Sequence, residues 1–384
     1  MALIGIGGTV AAFLLFGGLG GVVRSGSSDP FDAMPRGSFI VGTVDFAELR
    51  QSPLYQAVFG HDSVGSEPMR RALGVGMISD ACGFDPLTRV QRFAVAVPEE
   101  GERGEFGVAA RVEVSREELE RCTRSLADRR GEHAETHDVG SFVVLEDTSA
   151  ANDAAPGHGA RPRLAYGRGG LLVVGKGTWF DAMLGAADHV KPGARDAPEH
   201  AALRTSLTSH EGFHAPTLLA TALLPRALRE RLKGDMGADL DAENMSSAIM
   251  AGVLGVSSVG VAIVAGAKGG HVDAAVELVC DSPDACEAVE KLVLKKRRDW
   301  SGDLRLRMVG FGPLIDSFEV KRDGARLRAT ARAGAEELSG AIERVLKLRG
   351  GGGGDRPPPN PGRPRPPPQQ RPDENIRARS DAGP

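Results

Sequence analysis

Aromatic side chains are scarce in this chain of 384 residues, which has two Trp, two Tyr and 5% aromatic residues overall. Proteins that bind sugars or single-stranded nucleic acid stack these ligands on aromatic rings, so both classes are disfavoured. A large charge excess is also lacking, because the formal net charge is only -4. The sequence therefore predicts no nucleic-acid partner and no overall attraction to an anionic membrane surface.

Cysteine is rare, and the four cysteines, Cys82, Cys122, Cys280 and Cys286, lack the short C-x2-C spacing of zinc-binding modules. Two lie in each half of the chain, so disulfides within each half are geometrically conceivable. Four cysteines allow three pairings, and sequence alone does not choose among them. Small buried thiols are an equally good interpretation.

Charged residues are absent from ALIGIGGTVAAFLLFGGLGGVV, which follows the initial Met. A helix needs about 20 apolar residues to cross a bilayer, so residues 1–24 are predicted to be a transmembrane anchor that holds the protein on the membrane. A linker at 25–35 follows. A cleaved signal peptide is the alternative, but the stretch lacks a basic start and an A-x-A site.

The C-terminal stretch GGGGGDRPPPNPGRPRPPPQQRPDENIRARSDAGP, residues 350–384, has no pattern that would bury a core. Its composition predicts a disordered Gly hinge and an extended Pro-rich tail. Pro-rich segments dock into grooves of other proteins, so an envelope protein or a wall polymer is the candidate partner. A solvated spacer is the simpler alternative.

What the chain does contain is one pattern that occurs twice. FAVAVPEEGERGEFGVAARVEVSREELERC, from Phe93, aligns without a gap with VGVAIVAGAKGGHVDAAVELVCDSPDACEA, from Val259. Both read as strand, turn, strand and helix, with Ser115 and Asp281 as N-cap candidates. The segments at 38–54 and 216–232 match as openings, with Arg50 opposite Arg229, and those at 163–184 and 317–338 match as closing hairpins.

The repeated order predicts an α+β fold with two tandem units, at 36–209 and 210–349. Each unit reads βαββαβ, then a hairpin and a helix, and the first six elements follow the ferredoxin-like order with an antiparallel sheet. The two units could stay separate or join their edge strands into one sheet.

The segments MPRGSFIVGTVDFAELRQSPL and CGFDPLTRVQRFAVAVP resemble a loose group of uncharacterised, membrane-anchored bacterial envelope proteins. Their shared start is a Pro, a strand, and the short motifs VD, LR and SPL. The resemblance covers mainly the first unit. It implies an exported, anchored protein with a noncatalytic or unknown role, and it transfers no functional residues.

Two features of the sequence give opposite indications of which side of the membrane the globular part lies on. Arg24 and Arg36, just after the anchor, lean towards a cytoplasmic body by the positive-inside rule. The even cysteine count and the resemblance favour the exported side. We expect a single-pass membrane protein whose body is periplasmic or extracellular.

HEGFH, residues 210–214, satisfies the H-E-x-x-H pattern of zinc metallopeptidases. His210 and His214 would then bind zinc from one helix face, and Glu211 would act as general base. Gly212 inside the motif and Pro216 just after it oppose such a helix. No metal site and no catalytic residue are therefore predicted.

A second fragment, GLLVVGKG from Gly170, nearly matches a phosphate-binding loop. Gly177 replaces the required Ser or Thr, and LLVV reads as a strand instead of a loop, so no nucleotide or other cofactor is expected. The preferred function is a noncatalytic structural or protein-interaction role in the cell envelope. A zinc metallopeptidase using HEGFH and a receptor with a ligand cleft between the two units are the alternatives.

Overall fold

The computed structural model describes residues 28–60, 70, 75–98, 106–130, 134–147, 162–231, 247–266 and 270–350. The predicted anchor and, apart from Gly350, the predicted Pro-rich tail lie outside these residues. In the described part of the chain, no helix is both long and apolar enough to cross a membrane.

The first half of the chain contributes seven strands to the sheet. They are β1 (Ser38–Asp45), β2 (Val90–Pro98), β3 (Gly107–Val112), β4 (Ala134–Val139), β5 (Phe142–Asp147), β6 (Pro162–Tyr166) and β7 (Leu171–Lys176). The α-helices are α1 (Phe46–Leu49), α2 (Pro53–Phe59), α3 (Val75–Cys82), α4 (Pro86–Arg89), α5 (Arg116–Arg130), α6 (Gly177–Ala187) and α7 (Pro198–Thr208).

The second half contributes five strands. They are β8 (Leu218–Leu223), β9 (Val256–Val264), β10 (His271–Cys280), β11 (Glu319–Asp323) and β12 (Arg326–Gly334). Residues 226–231, just after β8, are helical, and the further helices are α8 (Ser247–Leu254), α9 (Pro283–Gly302), α10 (Leu304–Val309), α11 (Gly312–Asp316) and α12 (Ala335–Gly350).

All twelve strands form one antiparallel sheet, so the α+β prediction is confirmed. The order is β11-β12-β10-β9-β8-β1-β2-β3-β7-β6-β5-β4. The two halves meet where β1 pairs with β8, with Gly42 opposite Ala220. They therefore share a sheet instead of standing apart.

The ferredoxin-like order is wrong for both halves. In that order the first and second strands are parallel, because the helix between them crosses over, and the third strand lies between them. Here β1 pairs directly with β2, and β8 with β9, both antiparallel. The helices between them return the chain to the neighbouring strand. In the described part of the second half, moreover, the only strands after α9 are those of the hairpin β11–β12.

Strands β2 and β9 hold the same place in the two halves, each between the opening and the third strand. The matched arginines also have the same task. Arg50 donates to the carbonyls of Leu87 at 3.0 Å and Val90 at 2.6 Å, where β2 begins. Arg229 donates to the carbonyl of Leu254 at 2.6 Å, just before β9. Each arginine fastens the helix after the opening strand to the start of the second strand.

The gapless alignment differs from the structure in register. It sets Ala96 opposite Ala262 and Ala109 opposite Ala275, but Ala109 pairs with Ala94 while Ala275 pairs with Ala262. The shift is two residues, so every side chain keeps its face of the sheet. The N-cap of α9 also differs by one residue, because the hydroxyl of Ser282 accepts from the amide of Ala285 at 3.2 Å.

Hydrophobic side chains cover both faces of the sheet. Phe180 of α6 packs with Leu171 and Val173 of β7 in one cluster. Leu119 of α5 belongs to a second cluster with Leu172. Since neighbouring strand residues point to opposite faces, α5 and α6 lie on opposite sides of the sheet.

Part of the predicted linker belongs to the core. Pro30–Ala33 forms a 3-10 helix whose first turn is capped by Asp29. Phe31 and Met34 are buried in the cluster that contains Phe180. Phe31 and Met34 in PFDAM are therefore core residues, although the polar and charged residues around them in the sequence favoured a linker.

Both ends of the sheet are protected against further pairing. The outer strand β11 is short and reads EVKRD, with four of its five residues exposed. The opposite outer strand, β4, carries Glu135, His137 and Asp138. Exposed charges on short edge strands discourage edge-to-edge association.

The cysteines form one disulfide in each half. Cys82 at the end of α3 is bonded to Cys122 in α5, across 40 residues. Cys280 at the end of β10 is bonded to Cys286 in the first turn of α9, six residues later. Both bonds hold the helix that follows the third strand of a half, although they reach it from different elements.

Candidate binding site

The HEGFH motif forms a turn. Helix α7 ends at Thr208, and the residues after it run through bends to β8. Gly212 has φ of +87°, a left-handed conformation that other residues rarely adopt. His210 and His214 therefore do not share a helix face one turn apart, which is the arrangement a zincin needs.

Both histidines are bonded to the backbone at the end of α7. Nδ1 of His214 lies 3.0 Å from the carbonyl oxygen of Thr208. Nδ1 of His210 lies 2.9 Å from the carbonyl oxygen of Ser206 and 2.7 Å from Nη1 of Arg328. When Nδ1 is protonated it donates to the carbonyl, and when it is not it accepts from the guanidinium. It is therefore hydrogen-bonded in either tautomer. Within the described residues, no group of three or more His, Cys, Asp or Glu side chains is placed to hold a metal ion.

A buried carboxylate lies beneath this turn. Glu277 of β10 is 3% exposed and faces Arg328 of β12 directly across the ladder. Ser206 of α7 donates its hydroxyl to Oε2 of Glu277 at 2.7 Å, and Arg326 donates to Oε1 at 3.0 Å. Burial lowers the pKa of Arg328, and the nearby charge of Glu277 partly offsets that effect. The cluster ties α7 to the sheet.

The approach of α7 depends on a missing side chain. Gly260 of β9 lies opposite Glu277, and a Cβ added there would come within 2.6 Å of Cδ1 of Leu207. Glycine at this position lets the helix settle on the strands, which brings Ser206 to the carboxylate. A glycine inside a strand often marks such a close approach.

An open cavity of about 680 Å³ lies between the turn and the corner of the sheet formed by β10, β12 and β11. Arg332 closes one side by donating to Asp273 at 2.5 Å. The lining contains charged side chains of both signs, together with His210; the charged residues are Glu211, Asp273, Glu319, Lys321, Arg328 and Arg332. Such a lining suits a polar or charged segment better than an apolar small molecule.

A smaller cavity of about 310 Å³ lies where the two halves meet. Arg204 of α7 points towards it, with its guanidinium carbon 3.9 Å from the centre of the Phe31 ring. Burial lowers the pKa of Arg204 to about 10. Burial likewise raises the pKa of Glu48, and Asp45 beside it is paired with Arg92 at 3.1 Å. This junction is charged, whereas the receptor alternative needs an apolar cleft between separate units.

Sequence reasoning missed the buried charges and found the histidines. A usable signal was present in two strands. Glu277 lies in the apolar strand HVDAAVELVC, and RLRATAR in β12 has arginines at positions 326, 328 and 332, which share one face of the strand. An acid on one strand and arginines on another indicate a buried ion pair once the strands are known to be neighbours. That pairing is long-range and was not available from the pattern alone.

No protein family and no curated protein sequence matches the chain. Among solved structures, "Structure of crystal form I of TP0453" is similar with a TM-score of 0.41 and 9% sequence identity. The match covers 84% of this chain and 100% of that chain. A TM-score below 0.5 supports no conclusion about function.

Proposed function

We propose that the protein is a single-pass, membrane-anchored envelope protein with a noncatalytic, protein-binding role, built from a duplicated α+β unit. The observation that carries the binding role is the mixed-charge cavity beside the HEGFH turn. Its ionic side chains are held by ion pairs and by the turn, and the sheet edge next to it is protected by charge. A polar segment of a partner protein would place opposite charges against this lining.

The two disulfides support the exported location. Cys82–Cys122 and Cys280–Cys286 bonds persist in the periplasm or outside the cell and are rare in the cytoplasm. Reporters active only inside or only outside the cytoplasm, fused after residue 36, test this directly. An active cytoplasmic reporter with a silent exported one would reject the location.

The binding role is tested in intact cells with a photo-crosslinking residue at Lys321, which lines the cavity and has an 81% exposed side chain. The matched control places the same residue at Arg124 on α5, where the side chain is 66% exposed. We expect a discrete protein adduct only from the Lys321 position. The adduct partner is then purified, and its Kd is measured against the wild type and against Lys321→Glu with Arg332→Glu.

Charge reversal in the lining should weaken that Kd by about tenfold or more, because like charges then face each other. Equal adducts from both positions, or a Kd unchanged by the reversal, would reject the cavity as the site. The enzyme alternative is checked in parallel. Purified protein should carry no stoichiometric zinc. One tightly bound zinc that is lost on replacing His210 and His214 would favour a peptidase.

A further inference from the structure

Large apolar side chains are exposed together near the C-terminal end of α9 and on α10. Trp300 is 49% exposed, Leu304 is 68% exposed and Met308 is 74% exposed. Leu304 and Met308 are four residues apart in α10 and therefore lie on the same side of that helix. Soluble surfaces seldom gather such side chains without a partner.

The same segment is strongly basic. Residues 291–309 contain seven Lys and Arg against two Asp, although the whole chain has a net charge of -4. We call these residues the basic-apolar surface. Lys291 is paired with Glu287, and Arg307 with Asp316. Lys295, Arg298 and Arg305 are exposed and make no ion pair with any residue of the described part of the chain.

Charged and apolar side chains are interspersed along the exposed side of the helices. Lys291, Leu294, Lys295 and Arg298 follow the spacing that shares one face of α9. In α10, Arg305 and Arg307 lie between Leu304 and Met308 in sequence. Apolar side chains bordered by basic ones are the pattern of a helix that lies in the interface of a membrane.

The equivalent helix of the first half provides the contrast. Helix α5 contains five Arg against four Asp and Glu, and its charges pair along the helix, as Glu120 does with Arg116 and Arg124. None of the large apolar side chains exposed in the described residues lies on it. The basic-apolar surface is therefore not demanded by the shared strand order.

We infer that the basic-apolar surface docks peripherally on a bilayer that contains anionic lipids. The unpaired Lys295, Arg298 and Arg305 would meet lipid phosphates, and Trp300, Leu304 and Met308 would enter the interfacial layer. Tryptophan prefers this layer because its ring is apolar and its N–H is polar. An acidic protein would satisfy the basic charges but gives no comparable role to three protruding apolar side chains.

The test uses the full chain reconstituted into vesicles of phosphatidylcholine, with or without phosphatidylglycerol. Trp300 reports its own surroundings by its emission and by quenching with brominated lipids. The chain has only one other tryptophan, Trp179, so the signal lost in Trp300→Phe belongs to Trp300. Because this readout is local, it is independent of whether residues 1–24 anchor the chain.

We expect a blue shift and bromolipid quenching of Trp300 with phosphatidylglycerol, and both should weaken at high salt. Each basic residue near an anionic surface contributes about fivefold to the docked population. Reversing Lys295, Arg298 and Arg305 to Glu should therefore lower the docked-to-undocked ratio by about 100-fold or more. Reversing the exposed Arg121 and Arg124 of α5 to Glu is the matched control and should leave the signal in place.

Three outcomes would overturn the inference. The first is a Trp300 signal that is the same with and without phosphatidylglycerol. The second is equal loss of the signal in the α5 control. The third is a shift produced by soluble polyglutamate and not by the vesicles, which would assign the surface to an acidic protein partner.

Discussion

The two halves of the sheet share a strand order and differ in what surrounds it. The first half adds the hairpin β4–β5 and packs Phe31, Phe142 and Phe180 into the largest of its clusters. The strands of the second half have two smaller clusters, one around Leu207 of α7 and one around Leu327. The same order of strands is therefore compatible with a large core or with small ones.

The surfaces follow the opposite distribution. The mixed-charge cavity beside the HEGFH turn, the buried Glu277 cluster and the basic-apolar surface all belong to the second half or to its contact with α7. The half with fewer buried side chains has more of its side chains on the surface. We interpret the first half as the stabilising part, and under the proposed function the second half would meet partners.

The largest expected effect tests the difference in cores. Phe180 is fully buried, and Phe180→Ala should lower the free energy of unfolding by about 3–5 kcal/mol, because it leaves a cavity in the largest cluster. Leu327 is 1% exposed, and Leu327→Ala should cost about 2–3 kcal/mol, because its partly buried neighbours can relax into the space. Urea unfolding of both variants measures the difference. A larger cost for Leu327→Ala would contradict the comparison.

The second prediction concerns the disulfides. Replacing Cys82 and Cys122 with Ala opens a loop of 40 residues, and replacing Cys280 and Cys286 opens one of six. Loop-closure entropy then predicts losses of about 4 and about 2 kcal/mol respectively. The double variants are compared with the wild type by urea unfolding, and reduction of the wild type should reproduce their combined loss. The reverse order would show that native packing, and not loop length, sets the contribution of each bond.

Local patterns predicted much of this fold. Alternating apolar residues marked β2 and β9, and Ser115 marked the start of α5, where its hydroxyl accepts from the amide of Glu118 at 3.2 Å. Gly212 and Pro216 correctly indicated that HEGFH is not helical. These features depend on neighbours within a few residues, so the sequence contains them directly.

The strand order and the surfaces could not be predicted in the same way. Alternation shows where a strand lies but not which strand pairs with it, so the ferredoxin-like order was an analogy. The net charge of -4 concealed the basic residues at 291–309, because a sum over the chain hides a local excess. The pairing of Glu277 with Arg328 joins residues that meet only in the finished sheet.

The smallest expected effect lies at the junction of the halves and depends on pH. His200 of α7 is fully buried, with Nε2 2.9 Å from the carbonyl oxygen of Ser38 and Nδ1 2.7 Å from the hydroxyl of Thr221. Since Ser38 is in β1 and Thr221 in β8, one ring holds both halves. The neutral ring can donate from Nε2 to the carbonyl and accept at Nδ1. His200→Gln should therefore cost about 2 kcal/mol at neutral pH, because two hydrogen bonds are disturbed.

Burial lowers the pKa of His200 below its ordinary value of 6.5, and the charge of Arg204 adds to this effect while the Ser38 bond and Glu199 oppose it. As pH falls below 6.5, the unfolded chain takes up a proton that the folded ring resists, so this histidine makes stability decline with acidification. Unfolding free energies measured at several pH values between 7.5 and 5 should show a shallower slope for His200→Gln than for the wild type. His214→Gln, at an exposed histidine, is the matched control and should keep the wild-type slope. A slope that His200→Gln leaves unchanged would mean that other groups cause the acid sensitivity and that the junction of the halves is not a pH-dependent contact.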